Sequence, residues 1–344
     1  MILVINCGSS SLKYKLLSLK QKNLASGLIE RVNSDYAGAL ASAFDDLKKK
    51  GFDAKAIKVV GHRVVHGGTE FVAPTRIDAA VISKLKKLYK LAPLHNPPNV
   101  LGIEAAMKLL PGVPNVAVFD TAFYRDMPDF AYMYALPYEL YEKHGVRKYG
   151  FHGISHGYVA AEAAKKLKKP LAKLKLVTCH LGSGASVTAV KGGIAIDTSM
   201  GFTPLEGLTM STRCGVIDPE IPLWLIRELK MTPDQVDELL NKKSGLLGIA
   251  GSTDMRDVLA KAAKGDRRSK LAIEMFVYDV VRYVGQFTAV MGGCDAVVFT
   301  AGIGERSDDI RARIMKWLKP FKVKALVVPT DEEGMIARDV AAFA

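Results

Sequence analysis

The sequence has few of the residues and patterns that mark secreted, membrane or metal-cluster proteins. Its four cysteines are scattered and form no C-x-x-C pair, so we expect reduced thiols and no zinc site. The amino terminus has no basic segment leading into a long apolar stretch, and we therefore expect a cytoplasmic protein without a signal peptide. The least charged long stretch, residues 283–304, contains Gln286, Asp295 and five glycines, which favours a buried helix and strand over a membrane span.

Two common nucleotide-binding motifs are absent or incomplete. No G-x-x-x-x-G-K-[ST] occurs, which excludes a P-loop. The stretch "AGIGERS" at 301–307 follows a predicted strand, but it lacks the third glycine of a dinucleotide fingerprint and comes too late for a Rossmann unit to follow. A glycine turn at this point could admit a sugar or a flat ring to the backbone, or it could be a tight turn without a ligand.

The chain is strongly basic, with 48 lysines and arginines against 35 acidic residues and a formal net charge of +13. The lysines concentrate in stretches such as "KKLKKPLAKLK" at 165–175 and "KWLKPFKVK" at 316–324, where they alternate with leucines. This pattern predicts solvated helix faces rather than a nucleic-acid surface. We therefore expect no specific nucleic-acid partner and no membrane partner.

Length and hydrophobic periodicity predict two domains of mixed composition. A chain of 344 residues exceeds one ordinary core, and short apolar strands alternate with helical segments, as in α/β proteins. The predicted strands cover residues 2–6, 12–19, 57–60, 116–120, 174–180, 185–190, 193–197, 296–300 and 323–328. The predicted helices cover residues 39–50, 78–90, 100–110, most of 220–291, 305–318 and 331–343.

A faint internal repeat relates the two halves. "VINCGSSSLKYKL" and "VTCHLGSGASVTA" align on Gly8 and Gly182, and in both an apolar strand leads into a small-residue turn and an alternating strand. Backbone N–H groups in such turns can surround phosphate oxygens, although most serine-rich turns bind nothing. The repeat alone leaves both duplication and chance similarity open.

Polar and apolar residues at several other turns indicate a cleft for a small anion. Six of the seven histidines lie beside turns that contain glycine, proline or asparagine: His62, His66, His95, His152, His156 and His180. Arg63 in "GHRVVHGG" and Arg213 in "STRCGVIDP" carry guanidinium groups, which suit carboxylate and phosphate, although a surface position would explain either alone. Four apolar residues at turns could line a small pocket: Val65, Leu94, Phe151 and Pro204.

One motif offers a different class of function. "GISHG" at 153–157 fits the G-x-S-x-G pattern of a serine hydrolase, with Ser155 as nucleophile. That motif requires a buried strand directly before it, and the preceding "VRKYGFH" is basic and aromatic. A serine hydrolase is therefore kept as an alternative.

Taken together, the motifs resemble the signature blocks of the acetate kinase (acetokinase) family, in the same order along nearly the whole chain. The blocks are "VINCGSSSLKY", "GHRVVHGG", "APLHNPPN", "FDTAFY", "YGFHGISH", "HLGSGASV", "DTSMGFTPLEG", "TRCGVIDP", "AGIGE" and "EEGMIARD". The resemblance implies an α/β fold of two duplicated actin-like ATPase (ribonuclease H-like) domains around a nucleotide cleft. The expected domains are residues 1–121 with 334–344, and residues 122–333, which carry most of the nucleotide site.

The resemblance implies a reversible, direct in-line transfer of the γ-phosphoryl group of ATP to acetate, which gives acetyl phosphate and ADP. It implies that Arg63 and Arg213 hold the carboxylate and the phosphoryl group, that His152 hydrogen-bonds the phosphoryl oxygens and that Asp120 positions substrate or metal. The acetate methyl group would contact Val65, Leu94, Phe151 and Pro204. Phosphoryl transfer depends mainly on positioning and charge neutralisation, which suits this set of residues.

Nucleotide and metal residues follow from the same resemblance. Mg²⁺ (with Mn²⁺ as a substitute) would involve Asn6 and Glu332. The expected residues of the ATP/ADP site are Ser9, Ser11, Lys13, His180, Leu181, Gly182, Ser183, Gly184, Asp254, Met255, Arg256, Gly302, Ile303 and Gly304. The family also implies a homodimer.

The sequence departs from the family pattern at a few points. Ser183 and Asp331 stand where asparagine is usual, and the stretches between residues 19 and 60 and between 306 and 327 are shorter than usual. Propionate or butyrate could replace acetate, because one methylene changes binding by only about 1–3 kcal/mol. Pyrophosphate as phosphoryl donor and a non-catalytic nucleotide-binding scaffold are further alternatives.

Overall fold

The computed structural model describes residues 1–8, 11–32 and 35–344. The chain forms two compact units. Unit 1 comprises Met1–Arg125, Phe151–Tyr158 and Asp331–Ala344, and unit 2 comprises Asp126–Gly150 and Val159–Thr330. The expected domain division differs from these units mainly in Phe151–Tyr158, which packs within unit 1.

Eleven strands and fourteen α-helices are present in the described residues. The strands are Ile2–Cys7 (β1), Ser11–Leu17 (β2), Asn23–Glu30 (β3), Val59–Val64 (β4), Thr75–Arg76 (β5), Asn115–Phe119 (β6), Lys175–Leu181 (β7), Ala185–Lys191 (β8), Ile194–Thr198 (β9), Ala296–Thr300 (β10) and Lys324–Val327 (β11). The helices are Tyr36–Lys49 (α1), Ala79–Lys87 (α2), Asn96–Leu109 (α3), Asp129–Tyr132 (α4), Tyr138–His144 (α5), Gly153–Leu167 (α6), Glu220–Leu229 (α7), Pro233–Lys242 (α8), Gly245–Ala250 (α9), Met255–Ala263 (α10), Arg267–Met291 (α11), Ala301–Arg306 (α12), Asp308–Leu318 (α13) and Glu332–Val340 (α14).

Both units contain the same five-stranded arrangement. The sheet of unit 1 has the order β3-β2-β1-β4-β6-β5, and the sheet of unit 2 has the order β9-β8-β7-β10-β11 read from the corresponding edge. In each, the first strand pairs antiparallel with the second and parallel with the fourth, which is β4 or β10. The shared order confirms the two duplicated α/β domains, and the aligned Gly8 and Gly182 each follow the first strand of an equivalent antiparallel pair.

Two glycines allow helices α3 and α14 to pack closely on the unit 1 sheet. β1 and β4 are almost wholly buried, and apart from Asn6, His62 and Arg63 they are apolar, as expected for strands covered on both faces. Gly61 in β4 allows α14 to approach, because a Cβ there would lie 2.7 Å from Ile336 Cγ2. In the same way, a Cβ at Gly102 of α3 would collide with Cys7 Sγ. The carboxyl ends of β1, β4 and β6 therefore lie beside α3 and α14.

Some sequence predictions of local structure were wrong. Strand β3 was not predicted, because its edge position leaves an irregular burial pattern and its sequence, NLASGLIE, contains Gly27 and one β-branched residue, Ile29. The glycines of "AGIGE" lie inside the short helix α12, which begins directly after β10, rather than in a turn before residue 305. Within the part of the chain that the structure describes, no helix is long and apolar enough to cross a membrane.

Candidate active site

The carboxyl ends of β4 and β6 in unit 1 place Arg63 against Asp120. The Arg63 guanidinium donates from Nη2 to Asp120 Oδ2 at 2.7 Å and from Nε to Oδ1 at 3.3 Å. Its Nη1 lies 3.6 Å from Glu332 Oε2 at the start of α14. The side chains of Asp120 and Arg63 are 1% and 17% exposed. Two residues that the resemblance assigns to catalysis and one that it assigns to metal thus form one ion-pair cluster.

Burial and charge oppose each other in this cluster. Burial alone would lower the pKa of Arg63, but the carboxylates of Asp120 and Glu332 outweigh it and hold that pKa above its ordinary value. Burial raises the pKa of the Asp120 carboxyl, while Arg63 and the backbone N–H of His152 oppose the rise. The guanidinium therefore stays charged, and its orientation is held by a two-point contact.

His152 adjoins this cluster in an unusual backbone conformation. Its φ is +57°, in the left-handed region, which non-glycine residues rarely adopt. The preceding Phe151 is anchored by its carbonyl, which accepts a hydrogen bond from Tyr124 Oη at 2.6 Å. The following Gly153 is required because a Cβ there would collide with the carbonyl oxygen of Asp120. The surrounding contacts thus determine the position of the predicted catalytic histidine.

Two buried asparagines that sequence reasoning did not single out hold the end of β4. Asn99 Oδ1 accepts from Val65 N at 3.0 Å, and its Nδ2 donates to the carbonyl of Cys7 at 2.7 Å. Asn96 makes a reciprocal pair with the backbone of His66, at 3.1 and 3.0 Å. Both belong to "LHNPPN", so the block was visible in the sequence, but its role in tying β1 to β4 was not.

The β1–β2 hairpin carries the residues predicted for the phosphate end of the site. Asn6 and Lys13 are register partners at the end of the hairpin. Lys13 Nζ lies 2.8 Å from Glu333 Oε1. Ser11 is half-buried and its carbonyl accepts from Gly8 N at 2.8 Å, whereas Ser9 lies outside the described residues.

Asp331, one of the departures from the family pattern, has two partners. Its Oδ1 lies 2.7 Å from Lys15 Nζ and accepts from Gly334 N at 2.9 Å, so that it caps α14. Burial would raise the pKa of Asp331, but these contacts lower it below its ordinary value. The additional negative charge beside Glu332 is therefore compensated by Lys15.

The residues predicted for the methyl pocket differ in burial. Phe151 is buried and packs edge-on against His66, with ring centroids 5.6 Å apart. Val65 is half-buried, and Leu94 is 44% exposed. Pro204 lies in unit 2, where it is half-buried.

Arg213, in unit 2, has no carboxylate partner among the residues that the structure describes. Its Nη1 donates to the carbonyl of Pro204 at 2.9 Å and contacts Met210 Sδ at 3.5 Å. Burial lowers the pKa of Arg213. Among the described residues, the charge of this half-buried guanidinium is therefore not compensated by an acidic side chain.

The turn between β7 and β8 forms part of a cavity of about 550 Å³ in unit 2. Gly182 N donates to Gly184 O at 3.1 Å, and Ser183 O accepts from Ser211 N at 3.2 Å. His180 and Leu181 are buried at the end of β7. The cavity is lined by Gly182, Ser183, Ser211, Thr253, Asp254, Met255, Arg256, Leu259, Gly302, Ile303, Arg306 and Ser307. Seven predicted nucleotide residues thus share a space large enough for a nucleoside.

Two carboxylates, one of them outside the lining, hold the backbone next to this cavity. Asp254 caps α10 through Arg256 N and pairs with the Arg256 guanidinium, which lowers the pKa of Asp254 to about 2. Glu305 Oε1 accepts from Ala301 N at 2.8 Å, Thr300 Oγ1 at 3.2 Å and Thr330 N at 3.1 Å. Glu305 thereby holds Ala301 at φ +64°. Sequence reasoning missed this role, although Glu305 directly follows the predicted glycines.

Two sequence interpretations do not fit the geometry. Ser155 lies fully buried in the first turn of α6, which no strand directly precedes, so it lacks the exposed position of a hydrolase nucleophile. The six histidines do not all face a cleft, because His62, His66 and His156 are buried in the interior. His62 Nε2 is 2.7 Å from Asn115 Oδ1, as expected for a structural histidine.

Comparison with known proteins identifies close relatives along the whole chain. A model of the acetokinase family matches residues 1–37 and 32–325. The chain is 48% identical to the acetate kinase of Clostridium novyi (strain NT), over 98% of this chain and 97% of that protein. The solved acetate kinase of Porphyromonas gingivalis superposes with a TM-score of 0.92 at 39% identity and 99% coverage of both chains. The solved propionate kinase of Francisella tularensis subsp. tularensis SCHU S4 gives a TM-score of 0.94 at 40% identity and 98% coverage of both.

The alignments also locate a shortened region. The match to the Clostridium novyi protein extends over 388 positions, more than the 344 residues of this chain, so that relative contains segments that are missing here. The family match divides at residues 32–37, inside the first of the two stretches that the sequence predicts to be short. This region joins β3 to α1.

Proposed function

The chain belongs to the acetokinase family, and we propose that it is an acetate kinase, which transfers the γ-phosphoryl group of ATP to acetate and forms acetyl phosphate and ADP. The observation that carries this proposal is the 48% identity to an acetate kinase over nearly the full length of both chains. The reaction is reversible, and the acetate oxygen displaces ADP in line at phosphorus.

The two arginines support a division of roles in this transfer. Acetate and the γ-phosphate are both anions, so their approach requires positive charge that is already oriented. We assign to Arg63 a fixed position next to the acetate carboxylate, because Asp120 holds its guanidinium at two points. We assign the transferring phosphoryl group to Arg213, whose charge has no carboxylate partner among the described residues. His152 would donate to the phosphoryl oxygens, and Asp120 would act through Arg63.

The cavity in unit 2 supports the nucleotide assignment. Its size suits adenosine, and its walls combine backbone from Gly302 and Ile303 with polar groups from Asp254 and Arg256. The turn at Gly182–Gly184 would then face the phosphates, together with His180 and Leu181. A donor without a base, such as pyrophosphate, would leave this cavity unused, which favours ATP.

We further propose that Mg²⁺, or Mn²⁺ in its place, acts with the nucleotide phosphates. No group of three or more histidine, cysteine or acidic side chains in the described part of the chain could hold a metal alone. Mg²⁺ does not require such a group, because it usually keeps several waters and binds one or two carboxylates plus substrate phosphates. Glu332 and Asn6 would hold it through water, and the ion would neutralise phosphate charge.

The family resemblance also supports assembly and location as proposals. We propose a cytoplasmic homodimer that binds acetate, ATP or ADP, and acetyl phosphate. Propionate remains a second candidate substrate, because a propionate kinase is similar along the whole chain.

Trapping acyl phosphate with hydroxylamine tests the function directly. The assay combines ATP or pyrophosphate with acetate, propionate or butyrate, with and without Mg²⁺. We expect Mg²⁺-dependent acetyl hydroxamate with ATP, formed faster than the propionyl product. A faster propionyl product would make the protein a propionate kinase. Binding of ATP without any product would favour a non-catalytic scaffold.

A further inference from the structure

A hydrogen bond connects the Arg213 guanidinium to the loop that follows β9. Nη1 of Arg213 donates to the Pro204 carbonyl at 2.9 Å and lies 3.5 Å from Met210 Sδ. This contact restrains the guanidinium plane less than the two-point contact of Arg63 does. Where the Arg213 charge lies therefore depends on where the loop places the Pro204 carbonyl. The name 204 loop is used below for residues 201–207.

Backbone hydrogen bonds hold both ends of the 204 loop. Tyr149 N donates to the carbonyl of Gly201 at 2.9 Å, and Val216 N donates to the carbonyl of Gly207 at 3.0 Å. Pro204 stands midway between these two ends and is half-buried. Proline has no N–H to donate, so Pro204 cannot be fixed through its own amide. The middle of the loop therefore depends on contacts from other residues.

The Tyr134 hydroxyl contacts the 204 loop on both sides of Pro204 in the sequence. Its Oη accepts a hydrogen bond from Phe202 N at 2.8 Å and donates one to the Glu206 carboxylate. A phenolic hydroxyl has one proton to donate and can also accept, so both functions are used here. Tyr134 thereby links the second residue before Pro204 to the second residue after it, and this link limits how far the loop can open at Pro204.

Two further observations support this contact. A Cβ at Gly201 would collide with both Tyr134 Oη and Glu206 Oε2, so the glycine leaves the space that the hydrogen bond occupies. Burial, together with the Glu206 carboxylate, raises the pKa of Tyr134 above its ordinary value, and the hydroxyl therefore keeps its proton at neutral pH. Tyr134 lies outside the motif blocks, whereas Pro204 and Glu206 belong to "DTSMGFTPLEG".

We infer that Tyr134 is a positioning residue for phosphoryl transfer, because it holds the loop whose Pro204 carbonyl locates the Arg213 guanidinium. The inference deepens the proposed function and rests on its assignment of the transferring phosphoryl group to Arg213. Displacing a reacting or charged group by about 1 Å from its productive position can cost about 100-fold in rate. Tyr134 thus acts through Arg213 and needs no contact with either substrate.

A second tyrosine in the same segment of unit 2 provides a matched control. Tyr149 Oη donates to the carbonyl of Gly145, directly after α5, at 2.8 Å. The link from Tyr149 to the 204 loop is its backbone N–H, which a side-chain substitution keeps. Replacing either tyrosine by phenylalanine removes one hydroxyl and retains the ring. The two variants therefore differ in whether the lost hydrogen bond supports Pro204.

A double-variant cycle tests whether Tyr134 acts through Arg213. The kcat for acyl hydroxamate formation is measured for the wild type, for each single variant and for Tyr134→Phe/Arg213→Ala. Tyr134→Phe should lower kcat about tenfold and change the KM for ATP less than about twofold, because the position of Arg213 matters mainly in the transition state. In the Arg213→Ala background the same substitution should lower kcat less than about twofold, since no guanidinium remains to be positioned. Tyr149→Phe should leave kcat within about twofold of the wild type.

Changes at Glu206 separate positioning from folding. Glu206→Gln keeps an oxygen that accepts from Tyr134 Oη and should retain more than about half of the wild-type kcat, whereas Glu206→Ala should lower kcat about tenfold. Hydrogen exchange followed by mass spectrometry gives a readout without catalysis. The Phe202 amide should exchange about tenfold faster in Tyr134→Phe than in the wild type or in Tyr149→Phe.

Several results would contradict the role of Tyr134 and leave the proposed function intact. These are an unchanged kcat in Tyr134→Phe, an equal loss in both Arg213 backgrounds, or an equal loss in Tyr149→Phe. If Tyr134→Phe does not fold, the Glu206 variants decide, and equal kcat values in Glu206→Gln and Glu206→Ala would overturn the inference. A wild type that forms no acyl phosphate would instead overturn the proposed function, and the inference with it.

Discussion

The two units carry one predicted arginine each, and the surroundings of the two guanidinium groups differ. In unit 1, Arg63 contacts Asp120 at two points and lies 3.6 Å from Glu332. In unit 2, the Arg213 guanidinium contacts a carbonyl and a thioether and has no acidic partner within the described ranges 1–8, 11–32 and 35–344. The two units share one strand order, yet acidic side chains balance the charge of Arg63, whereas no acidic side chain among the described residues balances that of Arg213.

The two arginines therefore differ in two properties: how firmly the guanidinium is oriented and how strongly it attracts an anion. A compensated arginine loses part of its attraction for an anion but keeps one geometry, because its hydrogen-bond partners fix the guanidinium plane. An uncompensated, half-buried arginine lacks that restraint, and an arriving anion relieves the cost of its burial. Phosphoryl transfer between two anions requires both properties, and the proposed function assigns orientation to Arg63 and attraction to Arg213.

The largest expected effects, on kcat and on stability, come from removing each arginine. They test whether Arg63 and Arg213 differ in the way described above. In Arg63→Ala and Arg213→Ala, kcat should fall about 10³-fold or more, because a transition-state charge loses its partner. Stability should separate the two variants. Arg63→Ala leaves the buried Asp120 unpaired and should cost roughly 3–5 kcal/mol. Arg213→Ala removes an uncompensated charge and should change stability by less than about 1 kcal/mol.

Chemical denaturation and steady-state kinetics of the two variants test this contrast. The double variant Arg63→Ala/Asp120→Ala serves as the control, since it should recover much of the lost stability without recovering activity. Equal destabilisation by both single variants would show that Arg213 has a structural role equivalent to that of Arg63.

The second prediction concerns a substitution that leaves Arg63 without a charged partner at position 120, so that its surroundings become similar to those of Arg213. Asp120→Asn preserves shape but removes the negative charge that orients the guanidinium. We expect kcat to fall about 10- to 100-fold through lost positioning, while the KM for acetate does not rise, because Arg63 becomes more available to the anion. Glu70→Gln, on an exposed pair with Lys84, is the matched control. A rise in the KM for acetate with unchanged kcat would contradict the positioning role.

The sequence indicated which residues belong to the candidate site better than it indicated which of them contact each other. Motif blocks indicated both arginines, His152 and the glycines of the nucleotide cavity, because each block has a characteristic local composition. The pairing of Arg63 with Asp120 joins residues 57 positions apart and depends on the parallel register of β4 and β6, which no local pattern contains. For the same reason the roles of Asn99 and Glu305 emerged only from tertiary contacts.

The predictions of the fold were incomplete where tertiary burial, rather than local propensity, determines the secondary structure or the buried side of an element. The strand order that relates the two units was visible only as a faint repeat, and the irregular strand β3 was missed. In the lysine-rich stretch at 316–324 the lysines are exposed, as predicted, but the exposure of Trp317 and Phe321 beside them was not predicted. Which side of a helix faces the core depends on the partner element, and the sequence of one helix does not specify it.

A third prediction concerns the neutral histidines that unit 1 buries near its site. Burial lowers the pKa of His62 to about 4 and that of His66 to about 3. Because the unfolded chain protonates near pH 6.5 while the folded chain does not, stability should fall as pH decreases from about 6.5 towards 4, by about 1.4 kcal/mol per pH unit for each histidine. In His62→Gln, which can still donate to Asn115, the slope should decrease by about that amount.

Denaturation midpoints between pH 7 and pH 4.5 measure this slope. His144→Gln, at an exposed position at the end of α5, is the control and should leave the slope unchanged. An unaltered slope in His62→Gln would mean that His62 is protonated in the folded protein.

The smallest expected effect concerns the nucleotide turn of unit 2, where the chain departs from its family. Ser183 lines the cavity, and its carbonyl is fixed by Ser211 N, so the side chain can change without moving the turn. In Ser183→Asn, the side-chain donor is about one bond length longer and should reach the proposed phosphate position. One added hydrogen bond of about 1 kcal/mol should lower the KM for ATP about fivefold. The KM for acetate should remain constant, because Arg63 in unit 1 is untouched.

Ser307→Asn, on another wall of the same cavity, is the matched control. A change in the KM for acetate but not for ATP would reverse the assignment of the nucleotide to unit 2.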